Sequence, residues 1–174
     1  MPSNPMTDAP ILPPRFTFAD AERAYEEWGA NCGPGAIAAI AHMTLDELRP
    51  HLGDFERKGY TNPSLMFEIL RSLGLRVSMV KPPGWPTYGL VRVQWHGPWM
   101  DAGVPIAARY RHTHWVGAAR RNGEIGVFDI NCMPSGGWVS LEDWSSVIAP
   151  HLIKHHAQKA SGEWSLTHSI EVLP

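Results

Sequence analysis

The stretch "NCGPGAIAAI", residues 31–40, constrains the fold more than any other part of the chain. From Gly33 onward its side chains are small or apolar all round a helix, and Pro34 suits the first helical turn. A helix of this kind is buried on most of its surface, so we expect it at the centre of the molecule. It begins at Cys32 or Gly33 and therefore carries a thiol at its N-terminus.

Composition and charge exclude several classes of function. The chain has 15 Lys and Arg against 17 Asp and Glu, a net charge of −2 and no long charged run, so neither nucleic acid nor membrane is an expected partner.

The prolines of residues 1–16 predict an extended arm and not a signal peptide, and the length of residues 17–174 predicts a single domain, which we expect in the cytoplasm. Without an export signal the two cysteines predict free thiols, and Cys132 is interpreted as incidental.

Capping residues divide the N-terminal half into helices. Thr17 predicts the start of a helix that ends at Gly29. The sequence "TLDE", residues 44–47, has the form of a capping box and predicts a short helix. Asn62 caps a further helix, with Pro63 in the first helical position.

From residue 75 the pattern changes to β-branched and aromatic runs separated by turn residues, which predicts strands. The runs are "LRVSMV", "GLVRVQW", "VPIAARY", "HWVGAA" and "EIGVFDI". A helix capped by Ser140 and bent near Pro150 is expected next. One face of a last strand is expected to carry Trp164, Leu166, His168, Ile170 and Val172. Helices followed by an antiparallel sheet predict an α+β fold, with the helix that starts at the cysteine packed on the sheet.

The dipeptide Asn122-Gly123, between two of the predicted strands, is the strongest short signal for a β-hairpin. A two-residue loop places Asp129 on the diagonal from His114, and a four-residue loop places it directly opposite. Both loops have an even length, so both preserve the alternation of side chains. Either register predicts that one face carries four polar side chains, namely His112, His114, Asp129 and Asn131.

A histidine beside a carboxylate is the pair that general-base catalysis requires. The acid accepts a hydrogen bond from one ring nitrogen and leaves the other nitrogen to take a proton. Cys32 supplies a nucleophile, because the unpaired N–H groups and the dipole at a helix N-terminus favour the thiolate. Gly33 leaves that thiol uncovered. The residues therefore predict Cys32, His114 and Asp129 as a catalytic set.

The segments "NCGPGAIAAI", "HTHWVGAA" and "VFDIN", in that order, resemble papain-like cysteine peptidases, most closely the small branch that processes bacteriocin leaders. The resemblance covers about residues 26–131. It implies a papain-like fold in which Cys32 is the nucleophile, His114 the general base and then acid, and Asp129 the orienting group. Segments such as "GDFERKGYTNPSLMFEIL" also resemble phage-encoded proteins, which implies that the protein acts in a virion or in host takeover.

Two positions depart from that family. Six residues before the cysteine the family has a glutamine that helps to form the oxyanion hole, and this chain has Glu26 there. The oxyanion donors are then expected to be the Cys32 backbone N–H and the Asn31 side chain. The family also follows its aspartate with a proline that this chain lacks, which leaves Asp129 and Asn131 as alternatives for orienting the histidine.

Other side chains allow two interpretations. Trp95 and Trp99 pack in the core under loops, or they form the wall of a substrate cleft beside the thiol. His112 and His114 share a strand face with Asp129, so these three side chains are also a candidate metal site.

These residues favour a cysteine-dependent amide or peptide hydrolase that works through an acyl-enzyme and needs no cofactor. The expected substrate is a peptide or a cell-wall peptide. One alternative is a non-catalytic papain-like module that assembles with other proteins through the arm, for example in a virion. A second alternative is a metal-dependent hydrolase that uses His112, His114 and Asp129.

Overall fold

A computed structural model describes residues 11–174, and the first ten residues of the predicted arm lie outside the described residues. The α-helices are α1 Phe18–Trp28, α2 Cys32–Ala41, α3 Leu45–Leu48, α4 Phe55–Lys58, α5 Pro63–Ser72, α6 Ile106–Arg109, α7 Leu141–Asp143 and α8 Ala149–His156. The strands are β1 Arg76–Met79, β2 Tyr88–Trp95, β3 Thr113–Arg121, β4 Glu124–Phe128, β5 Trp138–Ser140 and β6 Trp164–Leu173. The predicted α+β class is confirmed. Among these helices none combines the length and the apolar character that crossing a membrane requires.

The N-terminal helices begin where their capping residues predict. Thr17 and Thr44 form capping boxes at α1 and α3. Asn62 caps α5, and its side-chain oxygen accepts a hydrogen bond from the Leu65 N–H at 2.8 Å. Gly29 ends α1 with a φ of 70°, a left-handed conformation that suits glycine. Local hydrogen bonding therefore defines these helix boundaries.

The central helix of the N-terminal layer is α2. Its residues 33–40 are all buried, and the helix packs against β3. A Cβ atom at Gly33 would collide with the side chain of Thr61. Glycine is therefore needed here for close packing, which brings the loop before α5 next to Cys32.

The strands form one antiparallel sheet in the order β1-β6-β2-β3-β4-β5. The N-terminal helices cover one face of this sheet and contact Leu90 and Trp115. The segment 141–157 covers the opposite face, where Trp144 packs with Val91 and Val116. The sheet is consequently buried on both faces between two layers of helices.

Strands β3 and β4 form the predicted hairpin. Asn122 and Gly123 have φ values of 51° and 81°, the left-handed pair that a two-residue turn of this type requires. Pairing starts at the residues directly beside the turn, so the two-residue loop is the register that forms. The pairing of β4 with β3 ends at Phe128, opposite Gly117. Near His114, the edge of β3 that faces away from β2 therefore has no paired strand, and its backbone groups are available to other partners.

The prediction of a strand for "VPIAARY" is wrong. The segment forms the short helix α6, Ile106–Arg109, which begins directly after Pro105. Proline before a helix is well placed because it lacks the N–H that a first turn leaves unpaired, and the two alanines that follow favour helix. Ala107 and Tyr110 instead line a cavity described below.

The prediction that β6 presents one continuous face is also wrong. A bulge at Thr167 shifts its pairing with β2, so that Arg92 pairs with His168 but Val93 pairs with Leu166. Side chains on the two sides of a bulge of one residue face opposite layers. The strand residues divide into Trp164 and Leu166 on one face and His168, Ile170 and Val172 on the other.

The C-terminal helical segment begins at its predicted cap, Ser140, and contains a π-helical turn that the sequence did not predict. Ser140 caps α7, and its side-chain oxygen accepts a hydrogen bond from the Asp143 N–H. A π-helical turn, Trp144–Ile148, joins α7 to α8, and Pro150 lies in the first turn of α8. The wide turn places the indole of Trp144 toward the sheet, where it is fully buried.

The described end of the arm is docked on the domain. Phe16 is buried and packs edge to face on Phe128, with ring centroids 6.0 Å apart. The Trp138 indole N–H donates a hydrogen bond to the Leu12 carbonyl at 3.1 Å. Residues 11–16 therefore extend the packing of β4 and β5.

We expect Gly33→Ala to lower the free energy of unfolding by about 1–3 kcal/mol, because the added Cβ forces the Thr61 side chain away from α2. Chemical denaturation measures this difference. Gly84→Ala is the matched control, since a Cβ there meets nothing within 4 Å. Equal stability of the two variants would contradict the close packing of Thr61 on α2.

Candidate active site

His114 and Asp129 form a buried hydrogen-bonded pair at the open end of the hairpin. The His114 Nε2 lies 2.8 Å from the Asp129 Oδ2, and the two side chains come from β3 and from the residue after β4. Asp129 has no exposed surface and His114 is 8% exposed. Because Nε2 is bound to the carboxylate, the other ring nitrogen, Nδ1, is the one available to a reacting group.

The Asp129 carboxylate is held by hydrogen bonds on both oxygens. Its Oδ2 also accepts from the Trp144 indole N–H at 2.8 Å. Its Oδ1 accepts from the Asn131 backbone N–H at 3.0 Å and from the Asn131 side chain at 2.9 Å. Of the two predicted alternatives, Asp129 is thus the residue in contact with His114, and Asn131 positions Asp129.

These contacts keep the acid ionised and the histidine protonated. Burial raises the pKa of Asp129, but the charge and hydrogen bond of His114, with further donors, lower it to about 2. Burial lowers the pKa of His114, but Asp129 and Cys32 outweigh that effect and raise it to about 10. Each charge is therefore stabilised by the other inside the protein.

Cys32 is the first residue of α2 and its thiol is half-buried. Burial raises its pKa, but hydrogen bonding and charge from His114 and the Trp115 backbone N–H lower it further than burial raises it. Trp115 can donate because β4 no longer pairs with this part of β3. The structure therefore brings together all three residues of the predicted catalytic set.

The surroundings of the other cysteine, Cys132, shift its pKa in the opposite direction. Cys132 is buried, and burial together with the nearby charge of Asp129 raises its pKa to about 12. Its thiol therefore stays protonated over the whole range in which Cys32 becomes a thiolate. The two cysteines serve as an internal comparison for any thiol chemistry.

The N-terminus of α2 leaves backbone donors beside the thiol. Asn31 precedes the helix but makes no capping hydrogen bond, and its Nδ2 donates to the Ala21 carbonyl at 2.9 Å. The Asn31 amide therefore ties α2 to α1, and the cap does not engage the Cys32 N–H. Glu26 is exposed on α1 and does not line the cavity beside Cys32.

A cavity of about 940 Å³ opens beside the thiol. One wall is formed by the start of α2, the loop 59–62 and the first residues of α5. The opposite wall is formed by the sheet and the segment after α6, and its residues include Arg92, Tyr110, Thr113, Trp115 and His168. Sequence reasoning missed these residues, although a charged side chain in the middle of an apolar strand, "GLVRVQW", was an available signal.

Trp95 and Trp99 do not line this cavity, so their interpretation as cleft walls is wrong. Trp95 is buried on the opposite face of the sheet and stacks near His114, with ring centroids 6.0 Å apart. Trp99 donates its indole N–H to the Trp95 carbonyl at 2.8 Å. Odd-numbered side chains of β2 face the C-terminal helical layer, which explains why Trp95 supports the histidine from behind.

His112 does not join His114 and Asp129 in a metal site. Its ring stacks on Trp99, with centroids 3.7 Å apart. Within residues 11–174, no group of three or more His, Cys, Asp or Glu side chains is arranged to hold a metal ion. The predicted metal set is therefore not assembled in this fold.

No protein-family model matches the chain, and no curated protein matches it either. Functional inference therefore depends on the contacts of Cys32, His114 and Asp129 and on the cavity beside them.

We expect acid to remove a measurable share of stability through Asp129. Its pKa falls from the usual 3.8 to about 2 on folding, so the folded protein binds fewer protons between these values. The contribution, about 2 kcal/mol, is complete above about pH 5 and is lost as the pH falls toward 2. Denaturant unfolding at about pH 6 and pH 3 measures a loss of about 1 kcal/mol from this group.

Asp129→Asn is the control for this titration, because the amide keeps the shape and cannot ionise. Its free energy of unfolding should fall less than that of the unmodified protein over the same pH interval. An equal fall in both proteins would show that Asp129 is not ionised in the folded state.

Proposed function

We propose that this chain is a papain-like cysteine hydrolase that cleaves peptide amide bonds through an acyl-enzyme. One observation carries the proposal. A thiol at a helix N-terminus, Cys32, is activated by His114, whose other ring nitrogen is bound at 2.8 Å to the buried carboxylate of Asp129. This arrangement lies beside a cavity of about 940 Å³, large enough for a peptide segment.

Acylation follows from the charges of the resting site. The Cys32 thiolate attacks the carbonyl carbon of a bound amide, a C–S bond forms, and an electron pair moves to the oxygen. The Cys32 backbone N–H at the start of α2 donates to this oxyanion. The His114 imidazolium gives its proton to the leaving nitrogen as the C–N bond breaks. The products are a free amine and a thioester on Cys32.

Deacylation uses the same histidine as a base. Neutral His114 takes a proton from a water molecule, whose oxygen attacks the thioester carbon. The C–S bond then breaks, and the thiolate and the imidazolium form again as the acid product leaves. Asp129 stays ionised throughout and keeps the imidazole in one orientation, as the orienting carboxylate of a catalytic triad does.

We expect iodoacetamide to modify Cys32 in the native protein with an apparent pKa below about 8.5, because the thiolate is stabilised by His114. The rate should fall as acid protonates the thiolate. Cys132, whose pKa is raised to about 12, should stay unmodified. Peptide mapping by mass spectrometry, after reaction at a series of pH values, measures both rates.

His114→Ala should raise the pKa of Cys32 and slow its alkylation near pH 6 by about tenfold or more, since one pKa unit is a tenfold change in thiolate. His112→Ala is the matched control in the same segment, because His112 stacks on Trp99 and not on the thiol. Two equally slow cysteines in the unmodified protein would contradict the activation of Cys32.

Turnover is tested with a mixed library of synthetic peptides, whose cleavage products are identified by mass spectrometry. We expect cleavage by the unmodified protein and a loss of at least about 10³-fold in Cys32→Ala, because removal of the nucleophile removes the acyl-enzyme route. A reactive Cys32 without cleavage of any peptide would contradict the hydrolase and favour a non-catalytic module.

A further inference from the structure

A buried cation, Arg92, lines the cavity beside Cys32. Arg92 lies in the middle of β2 and is 7% exposed. Its Nε is buried and makes no hydrogen bond, and its Nη2 donates to the Thr113 hydroxyl at 3.3 Å. Within residues 11–174, no Asp or Glu forms an ion pair with this guanidinium, and the nearby group of opposite charge is the Cys32 thiolate.

The groups around Arg92 form one end of the cavity. The Arg92 guanidinium carbon lies 5.0 Å from the centre of the Tyr110 ring, which contacts its face. His168 pairs with Arg92 across β2 and β6, and its Nδ1 is buried and without a hydrogen-bond partner. The bulge at Thr167 is what turns His168 toward this face. Arg92 and His168 therefore lie side by side on the cavity wall, and each has a buried nitrogen without a hydrogen-bond partner.

A buried charge without a partner reduces stability, and an apolar side chain at this strand position would avoid that cost. The same strand carries Leu90, Val91 and Val93, all fully buried. Native proteins pair such charges or use them to bind a ligand. The Cys32 thiolate acts on Arg92 through its charge, but among residues 11–174 no carboxylate hydrogen-bonds to the guanidinium. A carboxylate partner is therefore expected to come from a molecule in the cavity.

We propose that Arg92, with His168 beside it, binds a carboxylate of the substrate, so that Cys32 acts on peptides that carry an acidic group near the scissile bond. This inference rests on the proposed hydrolase and names its substrate class. The planar guanidinium matches a carboxylate through two parallel hydrogen bonds, and Arg92 and Cys32 line the same cavity, so one bound peptide can reach both residues.

Iodoacetate and iodoacetamide test the proposal without a known substrate. Each forms a C–S bond to Cys32 and releases iodide, and they differ only in a carboxylate in place of a neutral amide. The measurement is the ratio of the two second-order rate constants at Cys32. A change in the pKa of the thiol affects both reactions equally, so it cancels in the ratio.

We expect Arg92→Gln to lower the ratio of iodoacetate to iodoacetamide rates by about tenfold, because it removes a charge-assisted hydrogen bond to the carboxylate. Arg92→Lys keeps the charge but lacks the planar fork, and should keep part of the preference. Arg111→Gln is the matched control, since Arg111 lines the same cavity but is exposed to solvent, and it should change the ratio by less than about twofold.

Thermal unfolding separates binding from a structural role. Arg92→Gln should unfold at the same temperature as the unmodified protein or at a higher one, because it removes a buried charge that has no carboxylate partner among residues 11–174.

A second measurement needs no variant. Succinate should slow the iodoacetamide reaction of Cys32 in a saturable way, whereas succinamide at matched ionic strength should not. A structural role for Arg92 predicts a lower unfolding temperature and no protection by succinate.

Failure of this inference can be distinguished from failure of the proposed function. If Cys32 reacts slowly with both reagents, the hydrolase fails. If Cys32 reacts quickly with iodoacetamide but the ratio is unchanged in Arg92→Gln, only the carboxylate site is overturned. Paired library peptides that differ as Glu and Gln, or as a C-terminal acid and amide, then identify whether the bound carboxylate is a side chain or a chain terminus.

Discussion

The buried carboxylate of Asp129 is the interaction on which the candidate site depends. A charge without exposed surface is stable only when it is paired and its oxygens accept hydrogen bonds. Here the donors come from β3 through His114, from the turn after β4 through Asn131, and from the π-helical turn through Trp144. One anion therefore joins the hairpin to the C-terminal helical layer and also fixes the orientation of the histidine.

The thiol and the imidazole approach each other from different layers of the fold. Cys32 belongs to α2, which packs on one face of the sheet, whereas the His114 ring stacks near Trp95 on the other face. They meet because β4 stops pairing at Phe128 and leaves the edge of β3 uncovered. The site is thus a consequence of where one strand ends, and the bulge in β6 adds His168 beside Arg92 in the same cavity.

Much of this arrangement could be predicted from the sequence because it depends on local chemistry. Capping side chains fix helix ends within one turn, and the left-handed preference of Asn122 and Gly123 fixes the hairpin. The alternation of strand side chains then puts His114 and Asp129 on one face whatever the loop length, provided that it is even. The α+β class and the candidate set of Cys32, His114 and Asp129 follow from these rules with Cys32 at a helix start.

Tertiary packing decided what local rules leave open. The bulge in β6 reverses the faces of half of the strand, and it lets Trp164 and Leu166 pack on the C-terminal layer while Ile170 and Val172 pack on the N-terminal one. The same long-range packing places Trp95 behind the histidine and leaves Arg92 facing a cavity. The sequence by itself determined the helix starts, the hairpin and the candidate groups Cys32, His114 and Asp129, because neighbouring residues specify them. Only the fold decided which face each strand residue takes, because that depends on partners far along the chain.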